Sequence, residues 1–182
     1  DVGDAQRIEL DELLPGHDLG RLEQPAQIRG AAANRLGFEP CGEARAALVA
    51  QDVEDLTVIS ALVQDAVLPV TEITYDMRHR QLALLLNRFR WEDAPAAERQ
   101  GRAFERVQAV LAVDSVLGAR VSGIDQADRD LVLALLSLAF DPAEDGTGTL
   151  RLIFAGDGEI ALDVECLDVT LSDMSRPYEA RA

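Results

Sequence analysis

Downstream of Pro69 the apolar residues recur at every second position in one short segment after another. This alternation is the tightest constraint on what the chain can become. Ile73 and Tyr75 alternate with polar neighbours, residues 76–80 read as a turn, and Gln81 to Trp91 reads as the returning strand of a hairpin. Val107, Ala109, Leu111 and Val113 alternate with Arg106 and Gln108, and Val116 to Ser122 is expected to pair with that strand across Asp114-Ser115. Thr149 to Ala155 and Glu159 to Glu165, joined by Gly156-Asp157-Gly158, form the clearest hairpin signal. Leu167, Val169 and Leu171 carry the period on until Pro177. In Leu131 to Phe140 the apolar phase changes partway, the mark of a bulge or of a helical turn running into a strand.

Between these segments the spacing predicts a polar linker from Glu92 to Arg102, containing Pro95, and a short helix opening in Gly123 to Asp130. Upstream the period is helical. Asp52 is a plausible N-cap with Asp55 three residues on bonding back to it. Leu56, Ile59, Leu62, Val63, Ala66 and Val67 then line one face, and Pro69 is expected to end the helix. The expected fold is α+β: one N-terminal amphipathic helix on a curved, mostly antiparallel sheet, or a partly closed barrel, of about seven or eight strands. Residues 1–42, broken by Gly16, Gly20, Gly30, Gly37 and Gly42 and by Pro15, Pro25 and Pro40, are expected to be an irregular extension, disordered or not native to the domain. Residues 43–182 are expected to make a single α+β domain.

A formal net charge of -16 sets the class of partner. It opposes nucleic acid and anionic membrane surfaces, so no nucleic-acid or membrane partner is expected, and a basic partner, or none, fits the charge better. All 17 basic residues are Arg, which suits bidentate carboxylate or phosphate contacts and is also what codon bias in a GC-rich genome would produce. The longest apolar run, Leu131 to Phe140, is too short for a bilayer, which needs about 20 residues. Cys41 and Cys166 are too few for a disulfide framework and form no CxxC pair. With no apolar leader visible near Asp1, the expected setting is cytoplasmic. The chain starts at Asp1 without Met and its first Met is Met77, so a processed chain, a trimmed chain or a fragment of a longer reading frame is expected.

No catalytic constellation emerges. GxGxxG, P-loop and GxSxG patterns are absent. Asp141 to Gly146 opens like a calcium loop, but Ala143 and Leu152 stand where ligands are required. His17 and His79 have no second ligand at metal spacing, and His79, between Arg78 and Arg80, is expected to be an exposed turn residue. Cys166, with no base nearby, is expected to be a buried structural thiol. Neither cofactor nor metal is expected. Glu159, Asp163 and Glu165 share one strand face, read as solvated.

The remaining candidates are Arg88, Arg90 and Trp91. The two arginines share a face, about 6.7 Å apart at two residues' rise. They are expected either to grip an anionic ligand or to pair across strands with acidic residues such as Glu159 or Asp163. Phe89 and Trp91 are expected to point the opposite way, into the core or over its rim.

The run Asp55 to Ala66, DLTVISALVQDA, followed by Leu85 to Glu92, LLNRFRWE, resembles a domain-of-unknown-function family of short cytoplasmic bacterial proteins. Gly123-Ile124-Asp125, Asp128-Arg129-Asp130, Val164-Glu165-Cys166-Leu167 and Arg176-Pro177-Tyr178 carry the resemblance onward, over roughly Arg45 to Tyr178. The first 42 residues do not share it. A family without an assigned activity supplies no catalytic residues. The expected function is therefore a non-catalytic binding or assembly domain, with a homo-oligomer or a protein partner. The alternative is a small enzyme or effector-binding protein that takes an anionic metabolite through Arg88 and Arg90, beside a carboxylate such as Asp65 or Glu92.

Overall fold

The computed structural model describes residues 47–125 and 127–179. The expected extension over residues 1–42, with His17 and Cys41, lies outside them. The first described strand, β1 (Ala47–Ala50), runs into helix α1 (Val53–Val63). Asp52 caps that helix, its side chain accepting from the Asp55 amide at 2.8 Å. Leu56, Ile59 and Val63 are its buried stripe, and the helix packs on β1 and on the later strands Gln81–Phe89 and Val132–Pro142.

The helix ends well before Pro69, contrary to the expectation. Asp65 takes a left-handed conformation, φ 58, and turns the chain into strand β2 (Ala66–Pro69). Ala66 and Leu68 are buried at strand spacing. Apolar residues at 59, 63 and 66 fit a helix, and those at 66 and 68 fit a strand, so periodicity alone left the boundary open. After a 3-10 turn (Val70–Glu72), β3 (Ile73–Asp76) and β4 (Gln81–Phe89) form the expected hairpin, with Ile73 opposite Leu84.

The stretch read as a linker contains helix α2 (Ala94–Gln100). Pro95 falls in its first turn, where a missing N–H costs nothing, and Gly101 at φ 62 closes its end. Strands β5 (Glu105–Val113), β6 (Val116–Ser122), β7 (Val132–Pro142), β8 (Gly148–Phe154), β9 (Glu159–Val164), β10 (Val169–Asp173) and β11 (Tyr178–Glu179) follow. No helix forms among the described residues between β6 and β7, where a short one was expected. The phase change in β7 is a bulge, with register shifting between Leu135 and Ser137. There the Leu138 amide donates to Ser60 Oγ of α1 at 2.9 Å. The hairpin of β8 and β9 turns through Gly156 and Asp157, at φ 78 and 62.

All eleven strands of the described residues join one antiparallel sheet, in the order β1-β10-β5-β4-β2-β7-β8-β9-β6, with β3 also on β4 and β11 on β5. The α+β class holds, with two helices and more strands than expected among the described residues. One pairing is corrected outright: β6 joins β9, not β5. Ser115 at φ 60 deflects the chain, so Asp114-Ser115 is a corner and not a hairpin turn.

That corner dictates curvature. Six strand spacings separate β5 from β6 in the sheet, about 29 Å if flat. Only Asp114 and Ser115 intervene in the chain, which can reach about 11 Å. The sheet must roll. Its inner face and α1 then share one continuous apolar cluster, including Leu84, Leu111, Leu135, Leu152, Leu162 and Leu171. Among the described residues no helix is long and apolar enough to cross a membrane.

Gly123, just past β6, has φ 66, and a Cβ there would lie 2.1 Å from the Asp157 carbonyl oxygen in the β8–β9 turn. Gly101, at φ 62, has open space around it. Gly101→Ala should therefore cost about 1 kcal/mol, and Gly123→Ala about 2 kcal/mol or more. Urea titration of the two variants checks this, and equal losses would contradict the close approach.

Candidate functional site

Alternation along β4 sends Leu82, Leu84 and Leu86 into the core, and Arg88 follows them in the same phase. At 4% exposure Arg88 is the one buried cation among the described residues. A guanidinium in that position has to be fully satisfied, because an unpaired buried charge is very costly.

All five of its N–H donors are used. Nε and Nη2 donate to the two carboxylate oxygens of Asp173, both at 3.0 Å. Nη1 and Nη2 donate to those of Glu92, at 3.1 and 3.0 Å. The remaining Nη1 donor takes the Phe89 carbonyl at 3.1 Å. Asp173 ends β10, so Arg88 reaches over the inner face of β5 to bind two strands away. Glu92 lies in the turn before α2. Burial would lower the Arg88 pKa, but the bonds from Glu92 and Asp173 outweigh it and raise it. Burial likewise pushes the Glu92 carboxyl up, and the Arg88 bonds more than reverse this, holding it below the usual range.

Arg90 continues the network. Its Nη1 donates to Glu105, and its guanidinium stands 3.7 Å from Glu92 and 3.9 Å from Asp93. Arg102 bonds Asp93 at 2.7 Å and approaches Glu105 at 3.7 Å. Three arginines and four carboxylates thus interlock where β4, β5, β10 and the α2 cap converge.

Neither arginine pairs with Glu159 or Asp163, as one expectation had it. Strands β2, β7 and β8 separate β4 from β9 in the sheet. Asp163 instead binds Arg120 of β6 and accepts from Thr149 Oγ1, while Arg151 approaches Glu159 at 3.8 Å. Glu165 pairs with Arg80 at 2.8 Å. An anion pocket requires donors left over on the two arginines, and Arg88 has none.

The other half of the stretch is inverted relative to expectation. Phe89 and Trp91 point to the outer face, and the arginine face is the inward one. Period two shows which residues share a face but not which face is inside. The usable signal was the three leucines in the phase of Arg88. Outside, the Phe89 and Trp91 rings stand 5.4 Å apart, and Trp91 Nε1 donates to the Gln64 carbonyl at 3.0 Å. Arg106, opposite Phe89 in register, lays its guanidinium 3.8 Å over the Phe89 ring and donates to the Asn87 carbonyl at 3.3 Å. Tyr178 of β11 lies opposite Arg106 and donates its hydroxyl to Asn87 Oδ1 at 2.7 Å. Arg106 and Asp173 were not singled out beforehand, because only sheet pairing brings them near Arg88 and Phe89.

Elsewhere, His79 lies in the β3–β4 turn with Nδ1 2.8 Å from Asp76 Oδ2. Burial would raise the Asp76 carboxyl, but bonds from the His79 ring and from the amides of His79 and Arg78 pull it below its usual value. Cys166 is exposed and not buried as expected, since it falls in the link between β9 and β10, outside any strand.

An acidic, rolled antiparallel domain with an internal arginine–carboxylate clasp and an aromatic outer corner is the class these features define. A family model described as "Protein of unknown function (DUF2948)" matches residues 46–182, and the chain belongs to that family. No curated protein and no solved structure matches it.

Arg88→Met should cost about 3 kcal/mol or more, because two carboxylates lose their shared partner. Arg88→Lys should recover only part of that, since an ammonium cannot hold two carboxylates bidentately. Urea unfolding followed by Trp91 fluorescence measures both, and a loss under about 1 kcal/mol for Arg88→Met would refute the clasp's role. The depressed Glu92 carboxyl adds a pH signature. Its contribution is fully present above its unfolded pKa and disappears as pH falls through the lower folded value. The stability gap between wild type and Glu92→Gln should therefore be open at neutral pH and narrow in acid. A gap that widens on acidification has the wrong sign.

Proposed function

We propose that this is a non-catalytic binding or assembly domain that meets another polypeptide, a protein partner or a second copy, through the outer face of its sheet. The observation that carries this reading is the corner built by β4, β5 and β11. Trp91 is 41% exposed and Tyr178 44%, beside the Phe89–Arg106 stack, and Phe104, in phase with Arg106, is 45% exposed. Aromatic residues and Arg are the types that anchor protein interfaces, because they bury large areas at low entropic cost and offer directed donors. The acidic charge supports a polypeptide partner over nucleic acid. The exposed free thiol of Cys166 favours a reducing, cytoplasmic setting. An anionic metabolite at Arg88 and Arg90, the alternative, gains no support from an arginine whose donors are all occupied.

The reading is tested by the double variant Phe104→Ser, Tyr178→Ser. Its unfolding free energy should stay within about 1 kcal/mol of wild type, both side chains being exposed. The set of polypeptides recovered with the tagged full chain, differently tagged copies of itself included, should lose the members that wild type retains. An unchanged set would remove the outer corner as the binding surface.

A further inference from the structure

Among the described residues, the arginines that are not fully exposed are Arg88, Arg90, Arg102, Arg106, Arg120 and Arg151. Five of these hold a carboxylate: Arg88, Arg90 and Arg102 in the internal clasp, Arg120 on Asp163, and Arg151 on Asp141. Arg106 is the exception. Among the described residues it makes one hydrogen bond, to the Asn87 carbonyl, and its guanidinium plane is fixed by stacking on Phe89. Glu105, its neighbour in the chain, is already engaged by Arg90 and Arg102 across the sheet. A held guanidinium with donors to spare, in a chain of net charge -16, has local charge of the opposite sign to its surroundings.

We propose that Arg106 is the anchor of the outer corner and that it takes a carboxylate from an acidic segment of a partner protein, with apolar side chains of that segment on Trp91, Tyr178 and Phe104. This rests on the outer face being the binding surface. A guanidinium fork matches a carboxylate in the plane of its N–H groups, and stacking on Phe89 fixes that plane beforehand, so little freedom is lost on binding. Trp91 beside Phe89, Tyr178 opposite Arg106 and Phe104 two residues before Arg106 are exposed and supply apolar area that the carboxylate alone would not use. The fit is to a segment in which Asp or Glu alternates with aromatic or aliphatic residues.

The chain provides its own reporter, since Trp91 is its only tryptophan and lies in the corner. Random peptides displayed on phage are selected on the full chain, and selected sequences are synthesised and titrated while Trp91 emission is followed. The expected result is enrichment of Asp or Glu beside aromatic or aliphatic residues. Replacing those acids by Asn or Gln, or Arg106 by Gln, should weaken binding about 10-fold or more, and Arg106→Lys should restore only part. Urea unfolding of both Arg106 variants confirms that they are folded. If selected peptides carry no acids, or bind wild type and Arg106→Gln alike while still shifting Trp91, the surface stands and the carboxylate anchor falls. If no selected peptide moves Trp91, both fall. Displacement of the peptide by inorganic phosphate at the concentration of a free carboxylate competitor, or self-association abolished by Arg106→Gln, would each overturn the assignment to an acidic foreign segment.

Discussion

The Arg88 guanidinium, held by Asp173 on one side and Glu92 on the other, is the interaction on which the organisation of this domain turns. A charge buried to that depth is tolerated only when every donor is met, so the residues that meet it are fixed in place with it. They come from the end of β4, the turn into α2 and the last residue of β10. The clasp therefore fixes how far β4 extends, where α2 begins and where β10 stops. It also determines the outer surface. Once Arg88 is inward, alternation leaves Phe89 no alternative but the outer face, and Arg106 meets it there as its register partner on β5.

A second set of contacts holds the roll. At the Asp114-Ser115 corner the Asp114 amide donates to the Asp168 carbonyl at 3.0 Å, and the Glu165 amide donates to the Ser115 carbonyl at 3.0 Å. The Val116 amide reaches the Arg80 carbonyl in the β3–β4 turn at 2.8 Å, and Arg80 itself pairs with Glu165. Gln81 Nε2 donates to Asp114 Oδ1 at 2.7 Å. The turn from β3 to β4, the corner after β5 and the link after β9 meet there. The two halves of a sheet whose middle strands are far apart along the chain are thus joined at one place. Backbone groups that a flat sheet would leave to solvent find partners across the roll.

Much of this was legible in residues taken one segment at a time. The Asp52 cap, the β3–β4 and β8–β9 hairpins and the bulge in β7 rest on local periods and turn chemistry, and the structure has them. What failed was non-local or ambiguous between two periods. Ala66 fits helix and strand equally until Asp65 is known to be left-handed. Pro95 looks like a breaker unless it is seen to sit in a first turn. A strand that follows another after two residues invites a hairpin, and only the rolled topology shows β6 going to β9. The partners of the candidate site were hidden in the same way. Arg88 and Arg90 were visible as a pair on one face, whereas Asp173, 85 residues on, becomes their neighbour only through β5.

The arginine-only composition acquires a physical consequence here, whatever its genomic origin. A lysine at position 88 could not grip two carboxylates bidentately, and one at position 106 could not lie flat on Phe89 while keeping donors in a plane. The same side chain thus does opposite work on the two faces of one hairpin. Inside, it is exhausted by protein carboxylates; outside, it is stacked and left with donors. The net charge of -16 would repel an acidic segment at a distance, but at physiological ionic strength exposed charges are screened beyond about 8 Å. Recognition at Arg106 is therefore a contact phenomenon, and added salt weakens the surrounding repulsion as well as the contact itself. A surface of this kind selects by fit between one guanidinium and its aromatic neighbours. It does not gather partners through its field, in contrast to a basic patch that steers its ligand from solution.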